Sequence, residues 1–380
     1  MVNEVPYLSF YNHIGHAPTR QQNSTIDTLQ ARRAFLYRTL GIPSFAVRGA
    51  DIIEFGPGSG ENADTITALS PRNYKFVDGS NAVLTKLKER IISTSSGTVG
   101  PQFTFSTSNI LDYQDDTLYD LVICEGVLPM QMKPREMANH VLSFVRPGGV
   151  AVLTCMDPVS SFSEIARRYV ASWVFGNLEY SEELVRDVVD FFTPDFAYLP
   201  GMSRQPEDWV LDSIIHPWMG EFFTIQDALE VAKDGYALLG TSPRILQDWR
   251  WYKDLSALDE NTTLTSAVSS YRKNMHSLID VRFVSESHLD DEDNTQLIYI
   301  TSQIATRVRD HIIGAKSYEV TQFGGDIQKL LEVKGQLDPQ TVQSLQALLD
   351  WSVTRDVSDL SAFRSMWGRG QQYISLTRLG

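Results

Sequence analysis

An α/β fold built on a mostly parallel sheet is predicted for this 380-residue chain by three observations. Short apolar runs alternate with helical patterns between residues 50 and 157. The first run, "DIIEF", leads into a turn with a glycine at every second position. A strand-like stretch, "QQYISLTRL", follows much later and is expected to return to the sheet as its seventh strand. A glycine-rich turn after the first strand of such a sheet lets the backbone approach a ligand closely.

The spacing within "EFGPGSGEN" decides which ligand this turn suits. The dinucleotide fingerprint G-x-G-x-x-G needs a third glycine where Glu61 stands, which disfavours an NAD enzyme. The phosphate-binding loop needs a lysine after its glycines, and here an acid follows Gly60. What remains is an acid, Glu54, followed by Gly56, Gly58 and Gly60. Because a carboxylate inside an apolar strand needs a partner, a cationic ligand is favoured.

This turn resembles that of the class I S-adenosylmethionine (SAM) dependent methyltransferases, whose cofactor carries a sulfonium and an ammonium but no phosphate. Further features follow in the family's order: an acid after "YKFV", an amide after "FTFSTS", an acid after "YDLVIC", and a Pro-Gly-Gly turn before "VAVLTC". The resemblance implies SAM as cofactor and S-adenosylhomocysteine as product. It also implies a Rossmann-like class I methyltransferase sheet of seven strands, the last antiparallel, with a helical lid and a large helical insertion near the C-terminus.

The resemblance assigns cofactor contacts to single residues. Glu54 is expected to serve the ammonium of SAM, and Asp78 to accept hydrogen bonds from both ribose hydroxyls. Asn109 is expected near the adenine amine with Ile110 against the ring, although the family more often has an aspartate at the first position. Glu125 is expected beneath the methionine part of SAM. Taken alone, Asp78 would more often be a helix N-cap, but its distance from the glycine turn favours the ribose contact.

The chain is longer than one ordinary nucleotide-binding sheet, so insertions are expected. Residues 158–221 read as a helical lid, or as a helix pair that packs without touching a ligand. Residues 250–365 read as a helical insertion that either encloses substrate or forms a homodimer interface. The predicted segments are a cap at 1–49, a SAM-binding core at 50–157, the lid at 158–221, a core helix and strand six at 222–249, the insertion at 250–365 and strand seven at 366–380.

The N-terminal stretch "YLSFYNHIGHAPTRQQNS" is dense in polar and aromatic residues. Pro18 prevents one continuous helix across it. We expect the stretch to fold over the cofactor, with Tyr11 as a cofactor contact and His13 as a catalytic candidate, or else to be a solvated arm. No spacing rule fixes these two positions.

Methyl transfer from a sulfonium to oxygen or nitrogen is an in-line displacement, so the protein mainly aligns the acceptor and removes its proton. A hydroxyl acceptor needs a base that works near neutral pH, which favours histidine. His216, in the aromatic segment "DSIIHPWMGEF", is the first candidate, with Asp212 expected to orient its ring. Asp157, just past the fifth strand, is the other catalytic candidate.

Composition limits the partners. The net charge of -14 disfavours a nucleic acid, whose phosphates require a basic surface. Two cysteines in 380 residues predict a reducing compartment, and the sequence has no long apolar run, so a cytoplasmic protein without membrane attachment is expected. No metal site is predicted, although carboxylates from distant loops could still converge. The sequence therefore predicts O-methylation of a small polar or sugar-like metabolite; an N- or carboxyl-methyltransferase and a non-catalytic SAM-binding module are the alternatives.

Overall fold

The fold was examined in a computed structural model that describes residues 6–21, 26–94, 100–199, 201–216, 218, 220–247, 249–253, 259–283, 291–333 and 337–380. The chain divides into two compact units, each built from segments that are distant in sequence. Unit 1 comprises Met1–Met156, Met219–Ser269 and Gln372–Gly380, and unit 2 comprises Asp157–Trp218 and Ser270–Gln371.

Unit 1 holds a seven-stranded sheet in the order β3-β2-β1-β4-β5-β7-β6, counted over the described residues. Neighbouring strands from β3 to β5 pair in parallel, whereas β7 pairs antiparallel with both β5 and β6. The predicted mixed sheet with an antiparallel last strand is confirmed. The strands are β1 (Asp51–Phe55), β2 (Asn73–Asp78), β3 (Gln102–Thr107), β4 (Tyr119–Cys124), β5 (Val145–Cys155), β6 (Tyr236–Ser242) and β7 (Gln372–Arg378).

Helices connect these strands and make up most of the regular structure of unit 2. The region before the last strand is helical, as the sequence predicts. The helices are α1 (Pro6–Ile14), α2 (Ile26–Thr39), α3 (Glu61–Thr67), α4 (Asn81–Thr94), α5 (Pro134–Leu142), α6 (Phe162–Phe175), α7 (Glu182–Phe196), α8 (Pro206–Trp209), α9 (Ile225–Val231), α10 (Glu260–Lys273), α11 (Asp291–Ile312), α12 (Val320–Glu332) and α13 (Pro339–Thr354); a π-helical turn spans Val210–Ile215.

The sheet of unit 1 is covered on both faces, which explains why its strands read as nearly continuous apolar runs. Successive side chains of β1 point to opposite faces. Ile52 belongs to a buried cluster on one face that also contains Tyr74 and Phe76 of β2. On the other face the ring of Phe55 packs against that of Phe144, with the centroids 5.5 Å apart. Glu54 lies on the same face as Ile52, so its carboxylate projects into apolar surroundings.

The Pro-Gly-Gly sequence, expected as a turn before the fifth strand, lies inside β5. The pairing of β4 with β5 shifts between Tyr119↔Val145 and Leu121↔Val150, so the extra residues form a bulge. A Cβ atom on Gly149 would lie 2.9 Å from the carbonyl oxygen of Tyr119, which leaves no room for a side chain. The strand therefore begins before the glycines rather than after them.

The core of unit 2 contains a buried cation. The side chain of Arg167 on α6 is fully buried, and its Nε donates to Asp195 Oδ1 at 3.0 Å. Its Nη atoms donate to the carbonyl oxygens of Met366 at 2.9 Å and Arg364 at 3.0 Å. The guanidinium also lies 3.8 Å from the ring centroid of Trp367. These contacts compensate for the loss of water around the charge and tie α6 to α7 and to the residues near 365.

Within the described residues, no helix is long and apolar enough to cross a membrane. In the same residues, no group of three or more histidine, cysteine, aspartate or glutamate side chains is arranged to hold a metal ion. Cys124 and Cys155 are both buried free thiols at the ends of β4 and β5.

Replacement of Arg167 by Ala is expected to destabilise unit 2 by about 3–5 kcal/mol, because Asp195 and three carbonyl groups would lose a buried donor. Urea denaturation would measure this change. Arg186 on α7 is exposed, so Arg186→Ala is the matched control and should stay within about 0.5 kcal/mol of the unmodified protein. A loss of less than about 1 kcal/mol for Arg167→Ala would contradict the structural role assigned to this arginine.

Candidate functional site

The glycine-rich turn joins β1 to α3, and three of its glycines adopt left-handed backbone conformations. The φ angles of Gly56, Gly58 and Gly60 are 68°, 56° and 87°. A Cβ atom on Gly56 would lie 2.2 Å from a methyl group of Val127, and one on Gly60 would lie 2.4 Å from a methyl group of Leu87. Both backbone geometry and space therefore exclude side chains here. The result is a turn whose backbone is open to a ligand.

A residue of the N-terminal segment contacts this turn directly. The hydroxyl of Thr19 accepts a hydrogen bond from the backbone N–H of Ser59 at 3.1 Å and lies 2.8 Å from the Ser59 hydroxyl. A Cβ atom on Gly58 would approach the same Thr19 hydroxyl to 2.8 Å. The sequence analysis did not select Thr19, since a single threonine 40 residues before its partner gives no pattern to detect.

Glu54 lies buried at the end of β1, with 3% of its surface exposed. Tyr74 of the neighbouring strand donates its hydroxyl to Glu54 Oε2. The pKa of Glu54 is raised to about 7. Burial is the largest cause and the carboxylate of Glu125 also raises the pKa, while the hydrogen bond from Tyr74 and the charge of Arg33 lower it. Glu54 therefore changes its charge close to neutral pH. A cation bound beside it would favour the ionised form.

Glu125 follows β4 and is held by two residues of α2. Arg33 Nη1 lies 2.7 Å from Glu125 Oε2, and Arg33 Nη2 donates to Oε1 at 2.8 Å. Tyr37, one helical turn later, donates its hydroxyl to Oε1 at 3.0 Å. Arg33 therefore holds Glu125 by one hydrogen bond, to Oε1, and by a close ion-pair contact with Oε2. Sequence reasoning missed Arg33 and Tyr37, because 92 and 88 residues separate them from their partner.

Asp78 ends β2, partly buried, beside the glycine turn. Its Oδ1 accepts the backbone N–H of Ser80 at 2.7 Å, whereas its Oδ2 accepts no hydrogen bond from a described residue. Burial raises the pKa of Asp78 to about 6. The Ser80 hydroxyl lies 2.9 Å from Asn12 Oδ1, so α1 contacts the turn after β2 as well. Asp78 thus keeps one carboxylate oxygen for a ligand.

The remaining predicted cofactor residues lie at the same edge of the sheet or on α1. Asn109 follows β3 and donates from Nδ2 to Asp112 Oδ2 at 3.1 Å, while Ile110 is buried. On α1, the side chain of Tyr11 is partly buried and that of His13 is exposed. The carboxyl ends of β1 to β4 therefore bring Glu54, the three glycines, Asp78, Asn109 and Glu125 to one edge, which is where open α/β sheets bind ligands.

His216 lies in unit 2 and ends the π-helical turn that precedes it. Burial lowers the pKa of His216 to about 4, so the imidazole is neutral at pH 7. Its carbonyl oxygen accepts a hydrogen bond from Arg168. Asp212 was expected to orient the ring; its carboxylate forms an ion pair with Arg204 and acts electrostatically on His216, and the orienting role stays a prediction. The backbone N–H of His216 bonds to the carbonyl oxygen of Leu211, as in a π-helix.

Asp157 also belongs to unit 2, where its side chain is fully buried. Oδ1 accepts the backbone N–H groups of Val159 and Ser160, both at 2.9 Å. Oδ2 accepts the hydroxyl of Tyr271 at 2.9 Å. These bonds hold the turn that leads into α6. The catalytic assignment of Asp157 stays a prediction, and it would require an acceptor group to replace one of these donors.

Replacement of Glu54 by Gln is expected to change the pH dependence of stability. Because burial raises the pKa of Glu54 from 4.5 to about 7, the folded state binds this proton more tightly than the unfolded chain. That stabilisation is fully present below about pH 4.5 and is lost as the pH rises through about 7. From pH 5 to pH 8, the free energy of unfolding measured in urea should therefore fall by about 2–3 kcal/mol less in Glu54→Gln than in the unmodified protein.

Glu89 on α4 is exposed, and Glu89→Gln is therefore the control for removing one carboxylate. Its stability should follow the same pH curve as the unmodified protein. If Glu54→Gln also followed that curve, the proton would not be held at Glu54.

Comparison with known proteins was made for the whole chain. Residues 29–195 match a family described as "Methyltransferase domain". A curated relative, malonyl-[acyl-carrier protein] O-methyltransferase 2 of Ilyobacter polytropus, is 25% identical over 136 residues. That match covers 36% of this chain and 49% of the relative, so the chain spans about half of that protein's length.

Two solved structures are similar to parts of the chain. PKMT2 from Rickettsia typhi, in complex with AdoHcy, shows 15% identity over 64% of this chain and 49% of its own, with a TM-score of 0.41. The N-methyltransferase NodS from Bradyrhizobium japonicum, in complex with S-adenosylhomocysteine, shows 15% identity over 40% of this chain and 74% of its own, with a TM-score of 0.31. Residues 29–195 therefore match a methyltransferase domain, and unit 1 has the seven-stranded mixed sheet and the glycine-rich turn expected for the class I methyltransferase fold.

Proposed function

We propose that this chain binds SAM at the glycine-rich turn and transfers its methyl group to an oxygen atom of a small polar acceptor. One observation carries the proposal. A left-handed glycine turn and a carboxylate oxygen of Asp78 that accepts no hydrogen bond from a described residue stand at the ends of neighbouring strands. The three glycines add no side chains of their own to the turn, and the carboxylate supplies an acceptor for hydroxyl groups beside it.

The residues at this edge fit the parts of SAM. Asp78 would accept the ribose hydroxyls through Oδ2, and Ile110 with Asn109 would hold the adenine ring. Glu54 would face the methionine ammonium, which favours its ionised form and compensates for its burial. Glu125 is already neutralised by Arg33, so it adds little net charge beneath the ligand.

When bound, SAM would supply an electrophilic methyl carbon on its sulfonium, which the acceptor oxygen takes up in line as the C–S bond breaks and S-adenosylhomocysteine leaves. The protein's task is to orient the acceptor, to exclude water and to take the acceptor's proton. The proposed bases are His13, His216 and Asp157. At pH 7 the neutral imidazole of His216 can take up a proton, although burial makes it a weak base. Tyr11 is proposed to contact the cofactor from α1.

An oxygen acceptor is supported by the curated relative, which is named as an O-methyltransferase. The net charge of -14 favours a small molecule over a nucleic acid. A hydroxyl of a sugar-like metabolite is the acceptor proposed first, and a carboxylate or an amine is the alternative. We also propose a cytoplasmic location, since both cysteines are buried as free thiols, and a homodimer formed through the helical insertion.

Isothermal titration with SAM, S-adenosylhomocysteine and NAD should show micromolar binding of the first two compounds and none of NAD. Asp78→Ala is expected to weaken SAM binding by about 10- to 100-fold, because two hydrogen bonds to a carboxylate are lost. Asp116→Ala removes an exposed carboxylate after β3 and should bind SAM normally. Equal affinities of the protein and Asp78→Ala would remove the ribose contact from the proposal, and a preference for NAD would overturn the proposal itself.

SAM affinity is also expected to depend on pH through Asp78. Burial raises the pKa of Asp78 to about 6, and the ionised form is the one that accepts both ribose hydroxyls. Protonation of Glu54 already lowers the affinity below about pH 7, and protonation of Asp78 should add a further fall of up to about tenfold for each pH unit below 6. Titrations of Asp78→Asn at the same pH values should lack this additional fall and keep the decline due to Glu54, and equal pH curves for the two proteins would assign the additional fall to another group.

Turnover separates an enzyme from a SAM-binding module. Release of S-adenosylhomocysteine from SAM would be measured with panels of small alcohols, carboxylic acids and amines. Turnover with alcohols or acids alone would support oxygen methylation, turnover with amines alone would contradict it, and cofactor binding without turnover on any panel would favour the module.

A further inference from the structure

Two consecutive arginines on α6 are both buried, but their surroundings differ. Arg167 has a carboxylate partner, three carbonyl partners and the face of an indole ring. Arg168, with 4% of its surface exposed, donates one hydrogen bond, from Nη2 to the carbonyl oxygen of His216. Its Nε is buried and has no hydrogen-bond partner. No carboxylate of a described residue lies within ion-pair distance of Arg168.

A buried charge without a counterion is costly, so the surroundings of Arg168 matter. Burial lowers the pKa of Arg168 to about 10, which leaves the guanidinium protonated at neutral pH. The acid that raises the pKa of Arg168 is Asp212, whose carboxylate is already paired with Arg204. His216 is neutral at pH 7, since burial lowers its pKa to about 4. Glu164 acts electrostatically on Arg204 and Asp212, whereas Arg168 has no carboxylate of a described residue within ion-pair distance.

The ligand chemistry follows from this charge and from the free donors. Guanidinium groups bind planar anions through two parallel N–H bonds, and Arg168 has an unpartnered Nε together with an Nη1 for which no bond is found. A single guanidinium without an ion-pair partner matches a carboxylate better than a phosphate dianion, which would need further donors. The ring of Trp218, with its centroid 6.0 Å from Arg168 Cζ, adds an apolar surface beside the cation.

We propose that Arg168 is the recognition residue of an anion-binding site in unit 2, and that its ligand is a carboxylate group of a small organic acid. Identification of this acid as the methyl acceptor rests on the function proposed above. A carboxylate oxygen that accepts two guanidinium bonds is a poor nucleophile. The methylated oxygen is therefore a different atom of the same acid, such as a hydroxyl or a second carboxylate.

Stability distinguishes this role from a structural one. If Arg168 serves a ligand, Arg168→Met should leave the melting temperature of the ligand-free protein unchanged or raise it by about 1–3 °C, because an unpaired buried charge is removed. Arg167→Met, at the neighbouring position, should lower it. A decrease for Arg168→Met as large as that for Arg167→Met would overturn the proposal.

Binding is tested with acetate as the probe, in full-length protein labelled with ¹⁵N-arginine. The Nε–H signal missing from the spectrum of Arg168→Gln belongs to Arg168, and acetate in the millimolar range should shift it in a saturable manner. Arg168→Lys should bind acetate at least about tenfold more weakly, since the two-pronged contact is lost. Arg186→Gln, which removes an exposed arginine of unit 2, should titrate like the unmodified protein.

Inorganic phosphate is titrated in parallel. Phosphate binding at Arg168 that is tighter than acetate binding would contradict the carboxylate assignment, and an Arg168 signal that does not move up to about 100 mM acetate would overturn the site, because a millimolar site is saturated there. SAM titration of the same samples separates the two proposals. Acetate binding without SAM binding would leave the anion site in place and refute the proposed function. SAM binding without acetate binding would refute the anion site and leave the proposed function in place.

Discussion

The ion pair between Arg33 and Glu125 is the interaction on which the candidate cofactor site depends. It joins α2 to the end of β4 and neutralises one of two acids that lie close together at this edge of the sheet. Without Arg33, the carboxylates of Glu54 and Glu125 would repel each other in apolar surroundings. With it, Glu54 remains the acid whose charge a bound cation can control. The N-terminal helix α2 is thus part of the site.

The sheet and the glycine turn could be predicted from the sequence because both leave local patterns. Apolar runs of strand length, glycines at fixed spacing and an acid after β2 are each readable within a few residues. The partners of these residues could not be predicted. Thr19, Arg33 and Tyr74 meet their partners across 40, 92 and 20 residues of chain, and a single polar side chain carries no periodic signal. Glu54 was expected to need a partner, but the tyrosine that supplies one was not foreseen.

Burial creates opposite situations for charged groups in the two units. Glu54 in unit 1 can become neutral by binding a proton near pH 7, which limits the free-energy cost of burying its carboxyl group. Arg168 in unit 2 keeps its proton even when burial lowers its pKa to about 10. Arg167 avoids the problem through its many partners, which shows that α6 can satisfy a buried guanidinium. The contrast between these neighbouring arginines could not be predicted, since "ARRY" offers two equivalent cations.

The position of β7 between β5 and β6 affects how the chain can fold during synthesis. This strand follows the other six in sequence, yet it lies between β5 and β6 and is the strand with which β6 pairs. Until the ribosome has released Gln372–Arg378, β5 presents an unpaired edge and β6 has no place in the sheet. Nascent chains would therefore expose an unpaired strand edge while the preceding helical segments are being translated, and such an edge is a site where aggregation can begin.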